Sequence, residues 1–232
     1  MYLTRAYLNP RRRGAIRLLG NPQRMHAAVL AGFPPLPEHT RILWRLDSDE
    51  AHRPILWIVS PYRPDLSHLA EQAGWPASDA PQWETRSYEP LLKQLDSGQR
   101  YAFRLTANPT RAIAPGGPGQ RGKRVEHVTA AHQAAWLLGR AENAGFRVLE
   151  SSTAMPGTDD PALQLQLRDR GKVHFTKNGH DGTVTIARVT YEGMLEVTGP
   201  DALRHALTSG IGHARAYGCG LLTLAPSGPA SR

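Results

Sequence analysis

MYLTRAYLNPRRRGAIRLLGNPQRMHAAVLAGFP, residues 1–34, decides how this chain reads. Tyr2 to Leu8 form a candidate strand, and Asn21-Pro22 then opens a helix. Asn suits the N-cap because its side chain accepts from free backbone amides, and Pro suits the first helical position. Met25 and Val29 lie four apart, as do His26 and Leu30, before Gly32 and Pro34 end the run. Farther on, Ile42, Trp44 and Leu46 alternate as in a strand, and Ile55 to Val59 is a short apolar run. Pro64-Asp65 starts a second helix with Leu66, Leu69, Ala70 and Ala73 on one face. Trp83 to Tyr88 supplies the last strand, so the order is strand, helix, strand, strand, helix, strand.

A similar order then returns. Tyr101, Phe103 and Leu105 alternate, and Thr129 caps a helix whose inner stripe reads Ala131, Ala134, Ala135, Leu138 and Ala141. Phe146 to Leu149 follows as a strand. Leu163, Leu165 and Leu167 alternate up to Asp169-Arg170-Gly171, with Val173 and Phe175 beyond, which reads as a hairpin turning there. Thr183 to Val197 is strand material, Pro200 opens a short helix, and Leu221 to Leu224 closes the sheet. The expectation is an α+β chain of tandem ferredoxin-like (RRM-like) βαββαβ domains, residues 1–95 and 96–226, with an extra β-hairpin in the second and a tail at 227–232. Such a fold by itself implies no function.

Composition narrows the function classes. Of 232 residues 40% are hydrophobic and 21% charged, as in ordinary globular proteins. No apolar run approaches the roughly 20 residues that span a bilayer, and the N-terminus lacks a cleavable signal pattern, so the expected location is cytoplasmic, with no membrane partner. One cysteine, Cys219, excludes an intrachain disulfide framework and a cysteine-rich zinc site. Ten histidines form no HExxH-type pair, and the spacing of His127 and His132 puts them on different helix faces, so no metal or cofactor is expected.

The formal net charge of +8 favours a polyanionic partner. Arg11, Arg12, Arg13 and Arg17 precede the first helix; Arg111, Arg121, Lys123 and Arg124 flank a Pro/Gly-rich loop; Arg168, Arg170, Lys172 and Lys177 surround the hairpin. The most distinctive stretch is GIGHARAYGCGLL, residues 210–222, with Gly210, Gly212, Gly218 and Gly220 following a helix and leading into a strand. That order is the reverse of a Rossmann phosphate loop. It reads either as a tightly packed connection or as a loop admitting a phosphate backbone, with Arg215 supplying charge.

Extended to Pro226, this stretch resembles the C-terminal glycine-rich segment of the CasE family, the type I-E CRISPR endoribonucleases. MYLTRAYLNP (1–10) is similar to the family's opening strand and FRLTANPTR (103–111) to its interdomain strand. GKRV (122–125) and AAWL (134–137) resemble the next helix entry, YEGMLEV (191–197) the late strand, and GNPQRMH (20–26) the segment bearing the catalytic histidine. The resemblance covers Met1 to Pro226 and implies two ferredoxin-like domains that cut the repeat hairpin of precursor CRISPR RNA without a metal. It also implies retention of that hairpin alongside the other subunits of the Cascade complex, and it marks His26 as the catalytic histidine.

The chemistry suits that assignment. RNA carries its own nucleophile, the 2′-hydroxyl, and its attack on the adjacent phosphate needs a proton acceptor, a proton donor for the leaving 5′-oxygen, and positive charge near the phosphorane. Imidazole serves either transfer near neutral pH, and His26 lies in the first two turns of a helix whose amino end attracts phosphate. The arginine clusters are expected to grip an A-form stem, with Arg168 and Arg170 on a hairpin that in the family enters a groove of the stem. One position departs: where the family usually has tyrosine, three residues before the histidine, this chain has Gln23, and Ala31 stands where some relatives have a basic residue. Either the tyrosine only supports the reaction, or Arg24, Tyr7 or Tyr217 takes its place; the second expectation is therefore a hairpin-binding subunit with weak or lost cutting.

Overall fold

The structure, a computed structural model, describes residues 1–114, 122–154, 161–176 and 183–227, with the backbone alone at 123, 152–154 and 161. Arg121, Lys177 and residues 228–232 of the tail lie outside the described residues.

The first half follows the expected order with one helix added, α1, ahead of the expected first helix. Strand β1 (Tyr2–Tyr7) leads through α1 (Arg13–Leu19) and α2 (Pro22–Leu30) to β2 (Leu43–Asp47), β3 (Ile55–Ser60), α3 (Ser67–Ala73) and β4 (Trp83–Ser87). The sheet runs β2-β3-β1-β4 with every pair antiparallel, the ferredoxin-like arrangement. Period-two alternation sorts its side chains. Ala6, Trp44, Leu56 and Ile58 join Met25, Val29, Leu66 and Leu69 under the helices, while Leu43 and Val59 on the opposite face join the core of the second half. Arg13 and Arg17, expected ahead of the first helix, lie within α1. That helix is short and has no side-chain cap, so the sequence signal is faint. It packs against α3 at Gly14, where a Cβ would fall 2.2 Å from the Gln72 carbonyl oxygen.

A short helix, α4 (Glu89–Gln94), connects to the second half, which contains β5 (Arg100–Ala107), the small pair β6 (Thr110–Ile113) and β7 (Lys123–Glu126), and α5 (Ala130–Ala141). Then come β8 (Phe146–Val148), the pair β9 (Glu150–Ala154) and β10 (Pro161–Leu163), β11 (Leu165–Thr176), β12 (Thr183–Val197), α6 (Pro200–Ser209), a 3-10 turn (Arg215–Tyr217) and β13 (Leu222–Pro226). The order β11-β12-β5-β13, with β8 also beside β12, repeats the ferredoxin-like arrangement with its second strand divided into β8 and β11. FRLTA is thus an inner strand of the second sheet rather than a link between halves.

Three further expectations are corrected. Asp169-Arg170-Gly171 is not the hairpin turn: β11 runs through it, and the register against β12 slips between Arg168 and Gly171. Asp169 has φ +48°, so the cluster of turn-favouring residues makes a bulge instead. The inner stripe of α5 is Gln133, Trp136, Leu137 and Ala141, with Leu138 exposed. Gln133 can be buried because its amide donates to the His127 carbonyl and accepts from Arg170. Finally, His127 precedes α5, so helical spacing does not apply, and its ring centroid lies 5.9 Å from that of His132.

A buried cation ties the halves together. Arg45 on β2, only 2% exposed, donates to both Asp47 carboxylate oxygens and to the backbone carbonyls of Arg104 and Leu221 in the second half. All its partners are oxygen acceptors in fork geometry, which lets a guanidinium be buried.

Candidate active site

Helix α2 begins as the sequence suggests. The Asn21 side chain accepts from the amides of Gln23 (2.9 Å) and Arg24 (3.2 Å), and Pro22 stands in the first turn. Pro22, Met25 and Val29 form the buried face, which leaves His26 half-buried on the flank and Arg24 exposed. Burial lowers the imidazole pKa below the ordinary histidine value, so the ring is neutral at pH 7. The indole Nε1–H of Trp44 donates to His26 Nδ1 at 3.4 Å. The Gln23 side-chain carbonyl oxygen is buried and makes no hydrogen bond.

The glycine-rich loop meets this helix. The 3-10 turn packs beside α2 and β2. Gly218, at φ +79°, sits on the Trp44 ring, where a Cβ would lie 2.6 Å from Cζ3. Gly212 abuts Trp136 in the same way, Gly210 abuts Leu43, and Gly220 faces the Ile211 carbonyl oxygen. Arg215 donates through Nη2 to the Gly210 carbonyl at 3.0 Å, while its buried Nε lacks a partner. Burial and the neighbouring Arg41 lower its pKa.

The expected RNA-binding cations fall into three groups. Arg11, Arg13 and Arg17 are exposed at α1, which packs on α2, whereas Arg12 donates to the carbonyls of Ala70 and Gly74. On the hairpin, Arg168 pairs with Glu192 at 3.2 Å, Arg170 donates to Gln133 and the Val128 carbonyl, and Lys172 pairs with Glu126. Such exposed pairs are worth little and can exchange one anion for another. Arg111 and Arg124 stand exposed on β6 and β7, the strand that also carries Lys123.

Around Arg111 and Arg124 the structure gathers residues to which the sequence assigned no RNA-binding role. His127 has its pKa lowered by burial, then by His132, Arg111 and Arg140. His213 is lowered by burial, then by Arg124, Arg215 and Arg140. Arg140 lies 4.2 Å over the Trp136 ring. Beside this cluster is an open cavity of about 310 Å³ lined by His127, Gln133, Arg170 and Lys172 among others. The glycine-rich loop connects the parts, since it carries His213, which bridges to Asn108, and Arg215, in the turn against α2. Their only common signal in sequence is the basic excess. Among the described residues no three His, Cys, Asp or Glu side chains gather as metal ligands would, and no helix is long and apolar enough to cross a membrane.

Fold and site together define a tandem ferredoxin-like protein whose histidine-bearing helix packs beside the turn of a glycine-rich loop that carries His213 and Arg215. The family model described as CRISPR associated protein matches residues 1–226, and the chain belongs to that family, within its CasE/Cse3 branch. It is 35% identical over 231 residues to the CRISPR-associated endoribonuclease Cse3 of Thermus thermophilus, covering 97% of this chain and all of the relative. It is 29% identical over 206 residues to the CRISPR system Cascade subunit CasE of Escherichia coli, covering 79% of this chain and 94% of that one. The structure of Thermus thermophilus Cse3 bound to an RNA representing a pre-cleavage complex superposes with a TM-score of 0.74 at 30% identity, covering 97% and 98% of the two chains.

Proposed function

We propose that this chain is a cytoplasmic endoribonuclease that cuts the repeat stem-loop of precursor CRISPR RNA without a metal ion and keeps the resulting hairpin within a Cascade complex. The observation that carries this reading is a half-buried His26, met by Trp44 at Nδ1, on a helix packed beside the loop that bears His213 and Arg215. In the reaction, the 2′-oxygen attacks phosphorus and the P–O5′ bond breaks. The 2′-hydroxyl loses its proton and the departing 5′-oxygen gains one. The products are a 5′-hydroxyl and a 2′,3′-cyclic phosphate, or the 3′-phosphate after hydrolysis. His26 acts at this phosphate. Residues 1–95 supply the reacting helix and residues 96–226 most of the grip, through Arg111, Arg124, Arg168, Arg170, Lys172 and the histidines beside them. The Thermus relative's complex with RNA supports the substrate class.

A second reading has one observation in its favour. Gln23 takes the place of a phenol that could shuttle a proton, and its buried carbonyl oxygen has no partner, so the site can bind a hairpin yet cut slowly. One experiment separates the two. Repeat hairpin RNA is incubated in chelator with the parent protein and with His26→Ala. Cutting by the parent alone supports the enzyme, and hairpin-selective binding without cutting by either supports the second reading. Equal cutting by both refutes a reaction at His26.

A further inference from the structure

An imidazole has two nitrogens, and which of them carries the proton decides what it offers a substrate. Indole N–H has no such choice, because it can only donate. The contact from Trp44 Nε1 to His26 Nδ1 therefore has one consistent reading: Nδ1 is the unprotonated acceptor, and a neutral ring bears its proton on Nε2. Protonating the ring would set Nδ1–H against the indole N–H.

Trp44 itself is fixed by its surroundings. It is 3% exposed on β2, within the core that also holds Met25 and Val29 of the histidine's own helix. On its far side Gly218 presses backbone against the six-membered ring, at a distance that excludes any side chain. Gly218 has φ +79°, a conformation glycine adopts freely. Strand, helix and glycine-rich loop thus converge on one indole, and that indole touches the imidazole.

We infer that Trp44 is a positioning residue for RNA cleavage: it holds His26 as the Nε2–H tautomer and leaves Nε2–H as the group the ring presents to the scissile phosphate. In this role His26 meets the substrate as a neutral hydrogen-bond donor to phosphate oxygen, where charge builds as the phosphorane forms. Before it could take a proton at Nε2, the ring would have to give up the one already there. A neutral histidine donor of this kind is established chemistry where a helix amino end and burial oppose the imidazolium. The inference rests on the ribonuclease reading of His26, but the tautomer can be measured without any RNA.

The test uses the full chain labelled with 15N-histidine at neutral pH, with the His26 signals assigned by their loss in His26→Ala. The expected result is an unprotonated Nδ1 and a protonated Nε2. Trp44→Phe keeps a ring in the core but removes the donor, so the His26 signals should move to those of a mixture of both tautomers. The single-turnover rate on saturating hairpin RNA should fall roughly tenfold with RNA affinity unchanged, as for one lost hydrogen bond. A protonated Nδ1 in the parent overturns the inference, as does a folded Trp44→Phe that keeps the parent's tautomer and rate. Should Trp44→Phe fail to fold, the nitrogen signals of the parent decide alone. Cutting by His26→Ala at the parent's rate removes the reaction role assigned to Trp44 together with the ribonuclease reading, whatever tautomer is found.

Discussion

Removing the Arg45 side chain tests whether the two sheets form one cooperative unit. Arg45 donates to Asp47 at 2.7 and 2.9 Å and to the carbonyls of Arg104 and Leu221 at 2.9 and 3.1 Å. Arg45→Ala takes a donor from two carbonyls, of which that of Arg104 keeps a long contact from Thr223 Oγ1 at 3.5 Å, and leaves Asp47, 9% exposed, with Arg104 at 3.1 Å as its remaining ion-pair partner among the described residues. Breaking a buried ion pair from one side costs about 3–5 kcal/mol, a large share of the roughly 5–15 kcal/mol that holds a domain folded. Arg45→Lys keeps the charge but loses the fork, and should cost less, about 2–3 kcal/mol. Urea unfolding is the assay, read by tryptophan fluorescence and by far-ultraviolet circular dichroism. Trp44, Trp57, Trp75 and Trp83 lie in the first half and only Trp136 in the second, so fluorescence follows the first half while dichroism follows both. The parent should show coincident transitions, and Arg45→Ala should unfold earlier with the two signals separated. A loss below about 1 kcal/mol, the scale of an exposed pair, would refute the reasoning.

Gly218→Ala forces a side chain into positive φ and against Trp44, so it should cost roughly 2–3 kcal/mol and slow RNA cutting; thermal melting and a cleavage assay check both. His26, His127 and His213 all have pKa values below 6.5 in the folded chain. The unfolded chain therefore binds more protons as pH falls through 6.5, and stability should decline from pH 7.5 to 5.5 until the lowered folded values are passed; urea midpoints across that range check the sign. Arg111→Ala and Arg124→Ala should each weaken hairpin binding and reduce its log–log salt slope by about 1, measured by titration at several salt concentrations, whereas an unchanged slope would take that arginine off the phosphate path.

Much of the fold was legible because local chemistry and period agreed. Asn21 and Thr129 cap their helices as their side chains allow, and the apolar run Ile55 to Val59 is a strand, paired on both sides. What failed depended on tertiary partners. Nothing local distinguishes a bulge at Asp169 from a turn, because the same residues favour both. The α5 stripe was misplaced because Gln133 looks exposed until the His127 carbonyl and Arg170 are seen beside it. The site was less legible than the fold. His26 is one of ten histidines and stood out only through resemblance, while Trp44 read as one more apolar residue in an alternating strand. Its indole nitrogen has meaning only once β2 is laid beside α2.

The glycine-rich loop admitted two readings, packing or phosphate approach, and packing accounts for each of its four glycines. Gly210, Gly212, Gly218 and Gly220 face Leu43, Trp136, Trp44 and the Ile211 carbonyl, all atoms of this chain. Two of those neighbours decide what the loop does for the site. Trp44 donates to His26 Nδ1 in the first half, and Trp136 lies under Arg140 in the cationic cluster of the second. A side chain at Gly218 would push on Trp44 and through it on His26, the group proposed to react, and one at Gly212 would push on Trp136 and the Arg140 above it, although neither glycine need touch RNA. On the proposed reading the loop thus acts through placement: it fixes the imidazole relative to the cations proposed to seat the stem. Cleavage at one phosphate of a gripped hairpin depends on that spacing more than on the strength of any single contact.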